Sequence, residues 1–408
     1  MSLLDELRRE EVWQDFRQYK MEHNQLSKRE LRQLDVFIEQ KDYLSKAETF
    51  SFGYPVRKTI TKLGSDKKRT VYVYSNEETW ILKLLAYLLY KYDDKITDNC
   101  YSFRRNMTAK VAFDHIRKIK DLDERWVLKT DIHDYFNSID VEMLLEVLEK
   151  VIDDDERLLA FLSQLLRQDR CYLSGELIEE KRGAMAGVPL ASFFANIYLM
   201  SLDKMFAERG IPYFRYSDDI IIFFDCEEDL KKGYQLLIDH IGEKKLTLNE
   251  KKTEIVRPHE LWSFLGFCYR EGQIDLAAAT IEKMKGKIRR KARSLYRYKS
   301  RKDADFDKVA RIMIRSFDLK FYDLTGNNDF TWTRFYFPVL TATKGLREID
   351  EYLIRYLRYL SSGRQYKGNY RITYEHLKEL GYTSLVNEFY RWRRDNRKLD
   401  EENADAYS

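Results

Sequence analysis

The chain has 408 residues, 44% of them hydrophobic and 34% charged, with a formal net charge of +4, so it is long enough for two or three domains around a substantial core. No apolar stretch is long enough to span a bilayer, and the first ten residues are charged too early for a secretory signal. Four scattered cysteines (Cys100, Cys171, Cys226 and Cys268) and six isolated histidines lack metal-site spacing, which argues against a zinc-cluster protein and for reduced thiols in the cytoplasm.

Residues 1–48 read as two charged helical segments, the second with an apolar face of Leu31, Leu34, Phe37 and Ile38. Residues 59–72 read as two strands joined by a basic turn, with Gly64 and Ser65 as turn formers and Lys62 and Arg69 beside them. The apolar stretch from Trp126 to Thr130 reads as a strand ending in Asp131, and an aromatic, Phe136, follows five residues later. Asp134 reads as a local hydrogen-bonding group. Asp140 reads as the N-cap of a helix whose apolar face holds Met143, Leu144, Val147 and Leu148.

Residues 182–192 form a glycine-bearing loop, around Gly183 and Gly187, that feeds an apolar helix with Asn196 and Tyr198. Next comes Tyr213-Phe214-Arg215-Tyr216-Ser217-Asp218-Asp219-Ile220-Ile221-Ile222-Phe223-Phe224. Its flanks read as strands, which puts the acidic pair at the tight turn of a β-hairpin. A strand is expected over residues 264–269, and beyond Gln273 the pattern is helical. Residues 281–302 carry eleven lysines and arginines against one glutamate, a density suited to phosphate backbones, with Leu295, Tyr296 and Tyr298 as packing or stacking surfaces. Gly381 reads as a helix stop, Thr383 or Ser384 as the next start, and residues 400–406 as a frayed acidic tail.

Two adjacent carboxylates aimed at one point need a cation. Without one, mutual repulsion raises the pKa of at least one of them, whereas a divalent metal makes the ionised pair favourable.

The order of these segments resembles the reverse transcriptases. The segment around Asp131 is similar to motif A, the loop around Gly187 to motif B and the Tyr216-Ser217-Asp218-Asp219 turn to motif C. Leu246-Thr247-Leu248-Asn249-Glu250-Lys251-Lys252-Thr253 is similar to motif D, and Trp262-Ser263-Phe264-Leu265-Gly266-Phe267 to motif E, the primer grip. Tyr101-Ser102-Phe103-Arg104-Arg105-Asn106 resembles the fingers motif of the bacterial branch of group II intron, retron and defence-associated enzymes. The resemblance covers roughly residues 55–270. It implies an α+β right-hand polymerase with an antiparallel-sheet palm, fingers and an α-helical thumb. The expected divisions are a helical extension over 1–48, fingers over 49–122, palm over 123–275, and thumb with C-terminal extension over 276–408.

The same resemblance implies RNA-directed DNA synthesis from dNTPs on an RNA template, with a DNA or RNA primer and a cDNA product. Asp131, Asp218 and Asp219 are then the catalytic carboxylates, and with the Ile132 carbonyl they hold two Mg²⁺ ions, for which Mn²⁺ is a possible substitute. Lys62, Arg69, Phe136, Ala186, Gly187 and Lys252 are expected at the nucleotide. Phe136 lies under the sugar, and Lys252 corresponds to a lysine that protonates pyrophosphate. Arg104, Arg105, Trp262, Leu265, Gly266, Lys287, Arg290 and Arg297 are expected at template or primer. Many relatives carry glutamine where Ala186 precedes Gly187, which puts fidelity and sugar discrimination in doubt.

No attached zinc endonuclease or RNase H domain is expected, and a Val-Thr-Gly element after the primer grip, a retron feature, is lacking. Compactness, the motif spellings and the short helical extension point to a bacterial defence-associated reverse transcriptase copying a dedicated noncoding RNA against phage, with the cytoplasmic location following from the reduced thiols. A stand-alone group II-intron-like enzyme is the alternative, as is an RNA-binding scaffold with little turnover; the oligomeric state stays open.

Overall fold

The computed structural model describes residues 2–23, 25–41, 43–44, 52–61, 68–181, 183–322 and 331–406. It divides into two compact units, Met1–Glu260 and Leu261–Ser408. The basic turn expected over residues 62–67 lies outside the described residues, as does Arg182. Helices and mainly antiparallel sheets alternate along the first unit, so the class is α+β, as expected.

Among the described residues the first unit opens with α1 (Leu3–Glu6), α2 (Glu10–Glu22) and α3 (Lys28–Glu39), where two helical segments were expected. The break that adds α1 is a local cap: Ser2 and Asp5 form a reciprocal capping box. Leu34, Phe37 and Ile38 of α3 are buried, whereas Leu31 is half-buried. Trp13 of α2 is buried against Phe37 and Tyr43, with ring centroids 5.4 Å apart in each case. These helices share one hydrophobic core with the central sheet and α4 (Asn76–Leu88), so they are built into the unit.

Two sheets shape the unit. In the first, β1 (Val56–Thr61) pairs antiparallel with β2 (Lys68–Val73) and touches β4 (Arg170–Leu173) in parallel at Val56 and Tyr172, and β4 pairs with β5 (Glu176–Glu179). In the second, β3 (Trp126–Asp131) lies between β7 (Asp219–Phe224) and β8 (Glu254–Val256), and β6 (Tyr213–Tyr216) completes the order β6-β7-β3-β8. Ile220, Ile221, Ile222 and Phe223 are fully buried, which explains a run with no polar alternation. Asp140 accepts a hydrogen bond from the Met143 amide at 3.1 Å and so caps α7 (Val141–Val151), as its sequence position predicts.

A buried polar knot stands behind the β6–β7 turn. Arg215 and Asp203 pair with both side chains wholly inaccessible, Asp203 also accepts from the Tyr213 hydroxyl at 3.0 Å, and Arg215 donates to the carbonyls of Asn196 at 3.0 Å and Ser217 at 3.3 Å. Asp203 sits on α10 (Met200–Glu208) and Asn196 on α9 (Ala191–Tyr198), so the knot ties two helices to the hairpin.

The second unit begins with the sheet β9 (Trp262–Phe264), β10 (Phe267–Arg270) and β11 (Gln273–Leu276). The strand expected over 264–269 is therefore a hairpin: Leu265 and Gly266 take positive φ, 50° and 88°, and reverse the chain between two three-to-four-residue strands. The unit continues as helices, chiefly α12 (Ala278–Lys302), α13 (Phe306–Phe321), α15 (Lys344–Ser362) and α17 (Leu385–Ala406), with α14 (Trp332–Phe335) and α16 (Tyr374–Glu379) between them. Ile281, Met284, Ile288, Ala292 and Leu295 form the buried stripe of α12, which leaves its basic residues on the other faces.

The Asp203–Arg215 pair yields a stability prediction. Removing one partner strands the other in a site without water, so Arg215→Ala or Asp203→Ala should cost about 3–5 kcal/mol. Denaturant unfolding should show a lowered midpoint for each variant; a wild-type midpoint would remove the pair from its structural role.

Candidate active site

The acidic residues converge through strand register. Asp131, the last residue of β3, pairs directly across from Asp219, the first residue of β7, and Asp218 precedes it in the turn. The Ile132 amide donates to the Asp218 carbonyl at 3.2 Å, which closes the end of the ladder. The turn is two residues long, Ser217 and Asp218, and Ser217 adopts φ 61°, a conformation that costs a non-glycine residue on the order of 1 kcal/mol or more. Its amide donates to the Ser102 hydroxyl at 2.8 Å, and Ser102 in turn donates to the Asn196 side chain at 2.9 Å. Ser102, part of the expected fingers motif, thus holds the acidic turn from behind.

Burial and then the neighbouring Asp131 push the Asp218 carboxyl above its ordinary value, with Lys252 and Arg69 opposing. Asp219 is pushed up to about 6 by burial first, then by Asp218 and Asp131. Lys252 forms an ion pair with Asp131, whose other oxygen accepts from the Asn249 side chain at 3.1 Å. The Asn249 amide also donates to the Asp131 carbonyl at 2.7 Å. Asn249 has a positioning role that sequence reading missed, although it lies inside the motif D stretch.

Among the described residues, no three His, Cys, Asp or Glu side chains stand grouped to hold a metal, and the Lys252 ammonium lies on Asp131. The donor set nevertheless fits a hard divalent cation: carboxylates at matched register, destabilised by one another, with the Ile132 backbone alongside.

The glycine loop packs against Phe136 and β2. The Ala184 amide donates to the Phe136 carbonyl at 2.8 Å, and a side chain on Gly183, which has φ +54°, would strike that carbonyl at 2.5 Å. Gly187 has φ +97°, and a Cβ there would meet Val71 at 3.0 Å, while the Ala186 carbonyl accepts from the Tyr72 amide at 2.8 Å. The period of two along β2 puts Arg69 on the same face as Val71, and its guanidinium lies 5.4 Å from the centre of the half-buried Phe136 ring. Arg69 is therefore in contact with Phe136; Ala186 and Gly187 lie against Val71 and Tyr72 of the same strand, and the Arg69 charge acts to lower the Asp218 pKa against burial. Lys62 lies outside the described residues.

Other expected contact residues divide by exposure. Arg104 donates to the carbonyls of Thr97, Cys100 and Asp93 at 2.8–3.1 Å with only 6% of its side chain exposed, so its guanidinium fastens a loop. Arg105 is exposed and lies over the rings of Tyr87 and Tyr90 at 4.9 and 5.0 Å. In the second unit Trp262 is buried and stacked on Tyr269 at 4.9 Å, which gives it a packing role. Gly266 accepts from Thr280 at 2.9 Å, so the Leu265–Gly266 turn is anchored to the start of α12. Arg290 and Arg297 are exposed on α12 and Lys287 is half-buried there.

Because Asp219 titrates higher in the folded protein than its ordinary value, folded protein binds more protons than unfolded protein between about pH 4 and 6. In metal-free protein this contribution favours folding below that window and is lost as pH rises through it. Asp219→Asn should therefore flatten the decline in melting temperature across those pH values relative to wild type; parallel pH profiles would show that Asp219 is not destabilised in the fold.

Residues 60–269, just over half of the chain, match the family described as reverse transcriptase (RNA-dependent DNA polymerase). The chain is similar to the retron Ec86 reverse transcriptase of Escherichia coli, 24% identical over 252 residues that make up 59% of this chain and 70% of that protein. Among solved structures it is similar to apo telomerase from Candida tropicalis, with a TM-score of 0.48, 14% identity and coverage of 84% and 69% of the two chains. A form of that telomerase truncated from its C-terminal domain gives 0.47 and 13%, and this chain spans 55% of its length and shares 55% of its own. Telomerase from Candida albicans in complex with a telomeric RNA fragment gives 0.45 and 12%, covering 88% and 70%. At these TM-scores the structural likenesses carry no weight of their own. With its acidic turn, glycine loop and strand-end aspartate inside the matched region, the chain belongs to the reverse transcriptase family and is an RNA-directed DNA polymerase.

Proposed function

We propose that this polymerase makes cDNA by two-metal nucleotidyl transfer at Asp131, Asp218 and Asp219, on a dedicated noncoding RNA in bacterial antiphage defence. The observation that carries the chemistry is the Asp131–Asp219 register with Asp218 in the adjoining turn. The likeness to a retron reverse transcriptase favours the retron and defence-associated branch over the intron-like alternative.

Asp131 and Asp218 would be the principal metal ligands with the Ile132 carbonyl, and Asp219 would assist. Bound Mg²⁺ would activate the primer 3′-oxygen and stabilise the leaving pyrophosphate. The chain's own groups do the rest. Arg69 grips the triphosphate bidentately from its strand, with Lys62 assigned the same task. Phe136 lies under the incoming sugar and meets a 2′-hydroxyl, while the backbone at Ala186 and Gly187 admits the nucleotide closely. Lys252 neutralises Asp131 before substrate arrives and is assigned to hand a proton to pyrophosphate afterwards. Arg105 is assigned to the template, the Leu265–Gly266 turn to the primer, and Lys287, Arg290 and Arg297 to duplex phosphates. In this reading residues 49–122 are fingers, 123–275 palm and 276–408 thumb with its extension, behind the helical segment 1–48. Sequencing RNA and DNA that co-purify with the protein tests the template assignment: one recurrent transcript and its complement are expected, and random cellular RNA would overturn it.

Asp218→Ala should reduce Mg²⁺-dependent dNTP incorporation on primed RNA by about three orders of magnitude or more, because metal stabilisation is worth several kcal/mol. Near-normal extension by the folded variant would dismiss the metal assignment. Phe136→Ala should raise the ratio of kcat/KM for ribonucleotides over deoxynucleotides by about ten-fold or more. An unchanged ratio in an active variant would make Phe136 a packing residue alone.

A further inference from the structure

The second unit carries a pocket that the polymerase chemistry leaves unassigned. It has a volume of about 600 Å³ and is lined by Glu351, Arg355 and Arg358 of α15 and by Lys367, Tyr366 and Tyr370 of the following turn. Tyr366 and Tyr370 are 52% and 68% exposed, and both line the same pocket. The Arg358 guanidinium lies 4.8 Å from the Tyr370 ring centre. Among the described residues, no carboxylate stands within ion-pair distance of Arg355, Arg358 or Lys367, although Glu351 is nearby.

The platform is rigidly built. Gly363, at φ +71°, ends α15, and the buried Asn369 side chain accepts from the hydroxyls of Ser361 and Ser362 at 3.2 and 2.8 Å and donates to the Arg364 carbonyl at 2.6 Å. Arg358 donates to the Ile372 carbonyl at 2.9 Å, which fixes the far end of the turn. Tyr366 lies on Gly368, where an added methyl would meet its ring at 2.4 Å. A preorganised aromatic surface loses little conformational freedom when a ligand stacks on it.

We propose that this pocket binds an unpaired nucleic-acid strand, stacking bases on Tyr366 and Tyr370 and placing the backbone phosphates against Arg355, Arg358 and Lys367. Open aromatic faces beside cations suit a ligand that is flat and apolar on one part and anionic on the next, which is the chemistry of a nucleotide chain. A duplex hides its base faces and does not fit. The choice of nucleic acid over another ligand rests on the polymerase reading; the site itself lies apart in sequence from every residue assigned to catalysis.

The test is photocrosslinking of the full-length protein to a short unstructured RNA carrying 5-iodouridine, mapped by mass spectrometry, with anisotropy titrations alongside. Crosslinks are expected at Tyr366 or Tyr370. Tyr370→Ala and Tyr366→Ala should each weaken binding by roughly ten-fold, Tyr370→Phe should retain it, and Gly368→Ala should weaken it by displacing the Tyr366 ring. Matched single-stranded DNA distinguishes a template strand from a product strand, since either supports the site and their ranking names the occupant. Competition by AMP or a dNTP as effective as the oligonucleotide would overturn the strand reading in favour of a free nucleotide. Absence of crosslinks at both tyrosines, or wild-type affinity in Tyr370→Ala, would overturn the site. Extension of a saturating primed template should be unchanged in the tyrosine variants. Loss of the pocket therefore leaves the catalytic assignment standing, and active Asp218→Ala protein leaves the pocket standing.

Discussion

A buried ion pair governs the geometry of the acidic centre. Asp203 and Arg215 are removed from water entirely, and the cost of that removal is offset only because each remaining polar atom of the guanidinium fork finds a neighbour. Those neighbours include the carbonyl of Ser217, a non-glycine residue at positive φ, and Ser217 is also held by Ser102, itself bonded to Asn196. The helix after the glycine loop, the fingers-motif segment and the β6–β7 hairpin thus meet at one desolvated knot. Two carboxylates stand at the end of that hairpin, Asp218 in its turn and Asp219 at the start of β7, on backbone held by the turn and by the β3–β7 ladder.

Electrostatics at the front of that turn run the other way. Asp218 and Asp219 are raised in pKa by burial and by their acidic neighbours, so the folded protein holds a site unfavourable to its own charge. Lys252 relieves it at Asp131, and Arg69 bears on Asp218 from β2. Carboxylates that repel one another, with a lysine ammonium paired to one of them, are the electrostatic arrangement on which the proposed cation binding rests. Catalytic potential here comes from conflict that the fold sustains, which is why the stabilising knot lies directly behind it.

The arginines show how the same residue type takes opposite tasks within two positions. Arg104 has its guanidinium enclosed by backbone carbonyls and acts as a fastener, whereas Arg105 is exposed over tyrosine rings. In the second unit the contrast recurs between buried Trp262 and the exposed Tyr366 and Tyr370. Exposure, not residue type, separates the enclosed groups from those open to solvent.

Much of the centre was legible in the sequence because it is local. A strand ending in aspartate, a two-residue acidic turn between apolar runs, and a capped helix after Asp140 each follow from neighbours in the chain, whereas the α+β class follows from the resemblance of the motif order to the reverse transcriptases. The third N-terminal helix was hidden because a capping box at Ser2 and Asp5 breaks a charged segment with little change in its apolar pattern. The hairpin at Leu265 and Gly266 was hidden because an apolar run interrupted by one glycine reads equally as a continuous strand. Beyond that, everything that depends on distance in space was decided by the tertiary structure. Residues 128–131, 203, 215, 217 and 249–252 are scattered along the chain, and only the antiparallel register of β3 with β7 sets Asp131 opposite Asp219. Asp203 lies outside the quoted motifs, and Ser102 and Asn249 lie inside two of them without a role that the motif assigns; their importance comes from hydrogen bonds across 12 to 118 residues of sequence, which no local pattern encodes.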